Sequence, residues 1–299
     1  MDKIKSGFVA LIGKPNVGKS TLLNSILSKK VAITTSKPQT TRDNIRGILT
    51  TEDAQIIFID TPGIHKAKIK LNEVMVQHAY DTIKDVDIIL FLIDATKGFD
   101  KADQVIDEYL TKVNKPKFLL INKIDKLNKS DLLDLLASID QDKYDEIIPI
   151  SGLKKNNIDE LVKTIKTYLK DDLQYYPADM ISDYPESFLI SEIIREKLMI
   201  NTGEEIPHCA AVRIDSIQRK KNNVYIQATI VCERASQKKI IIGENGQMIK
   251  KIGTFAREEL EERLNAPVYL DTFVIVEENW RNKKYQLQQL GYWDKENDE

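Results

Sequence analysis

The sequence predicts a doubly wound α/β domain followed by a smaller α+β domain. Three observations predict this division. A glycine-rich loop joins an apolar strand to a helix near the N-terminus, strands and amphipathic helices then alternate, and the alternation stops near residue 172. With 299 residues, 42% of them hydrophobic, the chain can bury two cores. We therefore divide it into a first domain (residues 1–172), a linker (residues 173–185) and a second domain (residues 186–299).

The first strand and the loop after it are the most specific feature of the sequence. The run Phe8 to Ile12 is short and apolar, as expected of a buried parallel strand, and apolar residues at helical spacing follow the loop as far as Leu27. A glycine-rich turn that opens a helix directs backbone N–H groups and the positive end of the helix dipole at one point, which suits a chain of phosphates. The loop residues assigned to this contact are Gly13, Lys14, Pro15, Asn16, Val17, Gly18, Lys19, Ser20 and Thr21.

Further strands are predicted over Gln55 to Ile59, Val86 to Asp94, Lys117 to Ile121 and Ile147 to Ile150. Helices are predicted over Ala102 to Val113, Ser130 to Ile139 and Asn156 to Leu169. Ligands of doubly wound sheets lie beyond the carboxyl ends of the strands, so the residues at those ends are the candidates for binding.

Phosphate and metal contacts are predicted at the loop and at one strand end. Lys19 is expected to reach the β- and γ-phosphates and to act in catalysis, and the Ser20 hydroxyl to bind Mg²⁺. The Asp60 carboxylate can hold the same ion through a water, and the Gly63 N–H can meet the γ-phosphate in catalysis. These two residues belong to the run Asp60, Thr61, Pro62, Gly63, Ile64.

The residues at two other strand ends predict that the bound nucleotide carries a guanine base. The run Asn122, Lys123, Ile124, Asp125 follows one of them. The Asp125 carboxylate can accept both N1–H and N2–H of guanine, a pairing that adenine cannot satisfy. The second run is Ser151, Gly152, Leu153, which would offer a backbone N–H to the guanine O6.

A polar loop, Thr34 to Arg42, is expected to order around the γ-phosphate. One of its threonines should complete the Mg²⁺ shell and act in catalysis, and Thr41 is favoured over Thr40. Ile64 can neither donate nor accept a hydrogen bond, so its side chain cannot orient an attacking water. Asn16 either holds a monovalent cation such as K⁺ or only shapes the turn. Slow intrinsic hydrolysis is expected in both cases.

Together, G-K-P-N-V-G-K-S, Q-T-T-R, D-T-P-G-I and N-K-I-D resemble the motifs of the Era-type bacterial GTPases. The resemblance is to the group in which a hydrophobic residue replaces the catalytic glutamine. The resemblance implies a Mg²⁺-dependent GTPase that binds GTP and GDP.

The second domain has a different order of elements. A helix is predicted over Glu186 to Met199, strands over about His208 to Gln218 and Val224 to Val231, two helices about Gly243, and a last strand over Val268 to Val276. This α-β-β-α-α-β order is typical of a separate α+β unit.

A G-x-x-G turn between helices lets a nucleic-acid backbone approach closely. Here it is surrounded by cations: residues 234–257 contain six basic residues and one acidic residue, whereas residues 171–299 contain 17 basic and 23 acidic ones. A basic island in an acidic domain indicates a focused phosphate site. The candidate RNA-binding residues are Arg234, Lys238, Lys239, Gly243, Glu244, Asn245, Gly246, Lys250 and Lys251. The run Arg281 to Tyr285, beside Trp280, either adds RNA contacts or forms a solvated helix.

This segment resembles the KH domain at the C-terminus of Era-type GTPases, and Gly203 to His208 is similar to the run that precedes its first strand. The resemblance implies that the target is the 3′ end of 16S ribosomal RNA, during assembly of the small (30S) ribosomal subunit. It also implies association with the inner face of the membrane. We expect a cytoplasmic monomer.

Bulk properties agree with that expectation. The formal net charge of −2 does not suggest a generally nucleic-acid-binding surface. Cys209 and Cys232 have neither metal-ligand spacing nor a reason to form a disulfide. The N-terminus does not read as a signal peptide, and the longest apolar run, Ile88 to Ile93, is too short to span a bilayer.

Two other functions stay open at this stage. One is a plain GTP-hydrolysing enzyme whose second domain binds protein. The other is an RNA chaperone whose nucleotide pocket is only structural.

Overall fold

The computed structural model describes residues 4–37, 40–65, 69–203 and 205–293, which form two compact units. The first contains most of the chain up to Asp183. The second begins at Tyr184 and includes two short stretches from the first half, within residues 33–40 and 68–74. Pro38, Gln39 and Glu204, which belong to segments interpreted above, lie outside the described residues.

A seven-stranded sheet forms the centre of the first unit. Its strands are β1 (Ile4–Ile12), β2 (Ile45–Thr50), β3 (Ala54–Asp60), β4 (Ile88–Asp94), β5 (Lys117–Asn122), β6 (Glu146–Ile150) and β7 (Lys170–Asp172). The order is β2-β3-β1-β4-β5-β6, and β7 pairs with β1. All pairings are parallel except those of β2 and β7, which are antiparallel. The predicted α/β class is therefore confirmed.

Five helices accompany this sheet: α1 (Lys19–Leu27), α2 (Lys70–Asp85), α3 (Lys101–Leu110), α4 (Lys129–Ser138) and α5 (Ile158–Tyr168). Every residue of β3 and β4 is buried, as expected of strands covered on both faces. The strand β2 and the helix α2 were not predicted. The helix has a readable pattern, because Met75, Ala79 and Ile83 recur at a spacing of four residues and all are buried.

Residues 173–183, inside the predicted linker, extend the first unit. The buried Gln55 side chain accepts hydrogen bonds from the backbone N–H groups of Tyr175 and Tyr176 at 2.8 and 2.9 Å. The Ile48 N–H donates to the Ile181 carbonyl at 2.7 Å. These contacts satisfy backbone groups at the edge of the sheet, so this segment is held along its length.

The second unit is an α+β fold, also as predicted. Its helices are α6 (Glu186–Asn201), α7 (Ile206–Cys209), α8 (Ala235–Ile242), α9 (Gln247–Leu264) and α10 (Lys284–Gln289). Its strands are β8 (Ala211–Lys220), β9 (Asn223–Cys232) and β10 (Val268–Val276), in the order β10-β9-β8. The β8–β9 pair is antiparallel and the β9–β10 pair is parallel.

One face of this three-stranded sheet forms the core of the second unit. Alternate residues of β9, such as Ile226 and Ile230, belong to one buried cluster with Ile194 of α6 and Leu260 of α9. The strand predicted from about His208 begins only at Ala211, because residues 206–209 form a helical turn in which a proline at an early position loses no hydrogen bond.

Candidate functional site

The loop between β1 and α1 is held by its own lysine. Gly18, the N-cap of α1, has a left-handed conformation with φ of 103°. The Lys19 Nζ donates to the carbonyl oxygens of Gly13 and Lys14, both at 3.1 Å. Burial lowers the pKa of Lys19 to about 8, although the Asp60 carboxylate opposes the shift. The ammonium group therefore lies inside the cradle formed by the loop, and its third N–H can donate to a phosphate.

Three oxygen atoms converge beside this lysine. The Ser20 Oγ lies 2.5 Å from the Asp60 Oδ2 and 2.8 Å from the Thr41 Oγ1, and the Thr41 Oγ1 lies 3.3 Å from the same Asp60 oxygen. Burial raises the pKa of Asp60 to about 6, against the effect of Lys19 and of both hydroxyl groups. The other oxygen, Oδ1, is buried and has no hydrogen-bond partner among the described residues.

This donor set fits Mg²⁺, which prefers oxygen ligands and keeps several waters. The unsatisfied Asp60 Oδ1 supports the fit, since a buried carboxylate oxygen without a partner is costly. Of the two threonines considered above, Thr41 contributes to the cluster. Thr40 instead donates through its hydroxyl to the Lys37 carbonyl at 2.7 Å.

The run after β3 lies against the phosphate loop. A Cβ atom on Gly63 would come within 2.6 Å of the Pro15 backbone nitrogen, so no larger residue fits there without moving the loop. The Ile64 N–H donates to the Gly13 carbonyl at 3.1 Å, and the Ile64 side chain packs into the core of the first unit. Because that side chain faces the core, it is a structural residue rather than a group that contacts water at the phosphates.

The base-binding end is organised by Asn122. Its Nδ2 donates to the Val17 carbonyl at 2.8 Å, and its Oδ1 accepts from the Gly152 N–H at 3.0 Å. One asparagine thus ties the phosphate loop to the loop after β6. Asp125 is exposed, and its Oδ1 accepts a hydrogen bond from the Ser151 hydroxyl at 2.5 Å. A carboxylate oriented in this way can accept from the edge of a guanine.

Two more of the predicted nucleotide-binding residues have side chains that are exposed to solvent. Leu153 is largely exposed, at 68%, and Asn16 is exposed with φ of 65°. For Leu153, only the backbone can serve a base. The positive φ of Asn16 is typical of asparagine in a turn, and it agrees with the turn-shaping alternative without excluding a cation.

Two ionic contacts that sequence reasoning missed hold the phosphate loop from outside. The Lys123 Nζ donates to the Asn16 carbonyl and to the Asp94 Oδ2, both at 2.6 Å. Although burial alone would raise the pKa of Asp94, hydrogen bonds from Lys123 and Thr96 hold it below its usual value. The loop is thereby coupled to the end of β4.

The second contact joins the loop to α3. The Lys14 Nζ lies 2.5 Å from the Asp100 Oδ2 and 2.7 Å from the Asp103 Oδ2. Asp103 is fully buried, which raises its pKa, while Lys14 opposes the shift. Lys14 and Asp100 are far apart in the sequence, and no motif links them. The phosphate contact predicted for Lys14 is through the backbone N–H groups of the loop, and its side chain pairs with these two carboxylates.

The G-x-x-G turn lies between α8 and α9, as predicted. Its last three residues form a 3₁₀ turn, Glu244–Gly246, and Gly243 has φ of 74°. A Cβ atom on Gly243 would approach the backbone nitrogen of Met248 within 2.8 Å. The glycine is therefore required both by its conformation and by the close approach of α9.

The predicted basic island is mostly accessible. Arg234, Lys239, Lys250 and Lys251 are exposed, and Lys238 is half-buried. Arg257, one of the six basic residues counted above, forms an ion pair with Glu261 at 2.9 Å. The remaining five cations still flank the turn on both helices.

The aromatic residue beside the C-terminal basic run has a structural role. Trp280 is fully buried, and its Nε1 donates to the Cys209 carbonyl at 2.9 Å. Arg281 donates to the His208 carbonyl at 3.1 Å and pairs with Glu233. Because Trp280 is buried, it cannot stack on an RNA base, and Arg281 is engaged within the unit.

Comparisons with known proteins agree with both halves. A family model described as a 50S ribosome-binding GTPase matches residues 8–123, and one described as a KH domain matches residues 205–281. A crystal structure of Era in complex with MgGDPNP and nucleotides 1506–1542 of 16S ribosomal RNA is 44% identical. The match covers 97% of this chain and 99% of that one, with a TM-score of 0.94. A variant of Era from Aquifex aeolicus, bound to GDP and AlF₄⁻, matches with the same identity, coverage and TM-score.

Proposed function

The chain belongs to the Era family of GTPases, and we propose that it is a molecular switch that binds the 3′ end of 16S ribosomal RNA during assembly of the small ribosomal subunit. The chain is a GTPase whose ligands are GTP or GDP and Mg²⁺. The observation that supports the proposal is that one chain combines an ordered guanine-nucleotide site with a G-x-x-G turn flanked by exposed lysines.

The catalytic contribution of the chain is mainly positioning and charge. Lys19, whose ammonium group lies beside two loop carbonyls, would bind the β- and γ-phosphates. Ser20, Thr41 and Asp60 would hold the metal, and Mg²⁺ supplies charge neutralisation at the phosphates when bound. The Gly63 N–H would donate to the γ-phosphate. Since the Ile64 side chain is buried, no glutamine-like group orients water there, and hydrolysis should be slow.

Asn16 is the remaining candidate for assistance. A K⁺ ion beside it would supply positive charge where other systems use an arginine. The alternative is that Asn16 only shapes the turn. A comparison of hydrolysis rates in KCl and NaCl at equal ionic strength would separate these roles, because only the first requires K⁺.

The second unit fits single-stranded RNA. Glycines at both ends of the turn allow a phosphate backbone to approach, and lysines on α8 and α9 can neutralise its charge. Ile240, 44% exposed near the end of α8, offers an apolar contact for a base. The ribosomal target and the link to small-subunit assembly rest on the relationship with Era bound to that RNA.

The chain runs directly from a stretch of the second unit into Thr41 of the first, and the bound nucleotide could control RNA binding through this connection. Thr41 belongs to the first unit, whereas the stretch immediately before it belongs to the second. Within the second unit, the Arg195 guanidinium donates to the Thr40 carbonyl, and the Lys37 Nζ donates to the Thr202 carbonyl at 2.8 Å. Ordering of Thr41 at the metal would therefore act on a segment that is anchored to α6.

We further propose that the protein is a cytoplasmic monomer that can associate with the inner face of the membrane. Both cysteines are buried free thiols, which agrees with a reducing compartment. Burial raises the pKa of Cys209 to about 11. Within the described ranges, no helix is long and apolar enough to cross a bilayer.

The proposal is tested by titrating the full chain with a labelled single-stranded RNA that matches the 3′ end of 16S ribosomal RNA, over a series of salt concentrations. We expect salt-dependent binding that is stronger than for an RNA of the same composition in scrambled order. Absence of binding would support the plain GTPase with a protein-binding second unit. The chaperone alternative requires instead that Lys19→Ala leave the cellular function intact.

A further inference from the structure

We propose that the face of the β8-β9-β10 sheet opposite the core is a second binding surface for single-stranded RNA, where bases stack on Tyr225 and Tyr269. This inference rests on the proposed function, because the occupant is a further segment of the RNA that binds at the G-x-x-G turn.

Strand register defines the residues of this surface. Val224, Ile226, Ala228 and Ile230 of β9 point into the core, so Tyr225 and the residues alternating with it point the other way. Three strands then form rows across the outer face. The first row is Gln218, Tyr225 and Tyr269; the second is Ser216, Gln227 and Asp271; the third is Arg213, Thr229 and Phe273.

Two of the three aromatic residues of this face are exposed, Tyr269 at 60% and Phe273 at 51%, and Tyr225 is half-buried. Tyr225 and Tyr269 lie directly opposite each other on parallel strands, with ring centroids 5.5 Å apart and an interplanar angle of 40°. Adjacent aromatic rings on neighbouring strands form the type of platform on which sheet-based RNA-binding modules stack two or three bases.

The charges around the tyrosines favour a polyanion. The Lys220 Nζ lies 4.5 Å above the Tyr225 ring, and Lys221 is exposed in the adjoining β8–β9 turn. Arg213, in the third row, pairs with Asp215 at 2.9 Å. Asp271, in the second row, is the one acidic residue of the three rows. Two lysines at the tyrosine end therefore offer phosphate contacts next to the rings.

The polar side chains of the second row favour RNA over an apolar protein as the partner of this surface. The Ser216 Oγ lies 3.0 Å from the Gln227 Oε1, and Asp271 stands opposite Gln227. An apolar interface would have to bury these groups and leave them poorly paired, which costs free energy. Base edges, in contrast, present both donors and acceptors beside a stacked ring. The surface as a whole is suited to bases rather than to an apolar helix.

The test compares two RNAs and four proteins. A short RNA of about five nucleotides covers only the G-x-x-G site, since that type of site clamps about four nucleotides. A longer RNA extends it by about ten nucleotides, with 2-aminopurine in the extension. The proteins are the wild-type chain, Tyr269→Ala, the matched control Tyr269→Phe, and the double variant Tyr225→Ala with Tyr269→Ala.

We expect Tyr269→Ala to weaken binding of the long RNA by about 5- to 150-fold, the range for one stacked base. Tyr269→Phe should keep both the affinity and the quenching of 2-aminopurine, and no variant should change the affinity for the short RNA. Equal affinity of all four proteins for the long RNA would overturn this inference alone and leave the face to another partner. Failure of the wild-type chain to bind either RNA would overturn the proposed function as well.

Discussion

The contact between Lys14 and the two carboxylates of α3 predicts how the phosphate loop is stabilised. In the variant Lys14→Met, Asp103 would stay buried without its cation, while Asp100, whose side chain is 46% exposed, could turn to solvent. We expect the first unit to become less stable and this loss to depend on pH. The second unit should be unaffected.

The size of the stability loss in Lys14→Met follows from the burial of the ion pair. Removing one partner of a fully buried ion pair costs about 3–5 kcal/mol. The Lys14 side chain is 12% exposed, so we expect about 3 kcal/mol near pH 8. For a unit of this size, that loss lowers the midpoint of thermal unfolding by about 6–12 °C.

The sign of the pH dependence comes from Asp103. Burial already raises its pKa, and losing Lys14 would raise it further. A carboxyl group with a raised pKa in the folded state binds its proton more tightly there than in the unfolded chain, so acidification stabilises the fold. Between the raised pKa and the unfolded value of about 3.9, the variant should therefore regain up to about 1.4 kcal/mol per pH unit as the pH falls.

The assay is thermal unfolding of the nucleotide-free chain at pH 8 and pH 5.5, followed by far-ultraviolet circular dichroism. Both tryptophans, Trp280 and Trp293, belong to the second unit, so their fluorescence is an internal control. Lys14→Arg should resemble the wild type, and Asp103→Asn should rescue most of the loss in Lys14→Met. A loss that is equal at both pH values, or an absence of rescue, would show that the buried charge of Asp103 is not its cause.

Three other changes have defined outcomes. Asp125→Asn should weaken GTP binding by about 100-fold or more and favour xanthosine triphosphate, whose 2-oxo group can accept from the new amide; nucleotide titrations measure both. Lys250→Glu combined with Lys251→Glu should weaken RNA binding and reduce the slope of log K against log salt by about 1–2, as a salt series would show. Ile64→Gln should not accelerate single-turnover hydrolysis, and it should lower the unfolding free energy by about 1–3 kcal/mol, because it places an amide among core side chains.

The elements that sequence reasoning predicted well are those with strong local patterns. The predicted strand Val268 to Val276 coincides with β10, and the nucleotide motifs lie at the ends of β1, β3, β5 and β6 because parallel strands place their carboxyl ends at one edge. The Thr41 Oγ1 lies 2.8 Å from the Ser20 Oγ and 3.3 Å from the Asp60 Oδ2, and the role of Thr41 as a Mg²⁺ ligand stays a prediction. These assignments needed only short-range patterns and the topology of the sheet.

The contacts that escaped prediction are long-range pairs between ordinary charged residues. Two such pairs are Lys14 with Asp100 and Lys123 with Asp94. The partners lie on elements far apart in the sequence, and no sequence pattern links them. Trp280 beside a basic run suggested stacking on RNA, but its indole is satisfied by the Cys209 carbonyl inside the second unit. Whether an aromatic ring is buried or exposed depends on tertiary packing, which also decides that Tyr269 is exposed.

The proposed switch requires that the nucleotide bound by the first unit change the affinity of the second unit for RNA. This is tested by measuring the dissociation constant of the full chain for the 3′-end RNA with Mg²⁺ and either GDP or a non-hydrolysable GTP analogue. We expect the two constants to differ by about 5- to 150-fold, the usual range of coupling between sites, and RNA to shift the preference between the two nucleotides by the same factor. Equal constants in both nucleotide states would contradict the proposed switch.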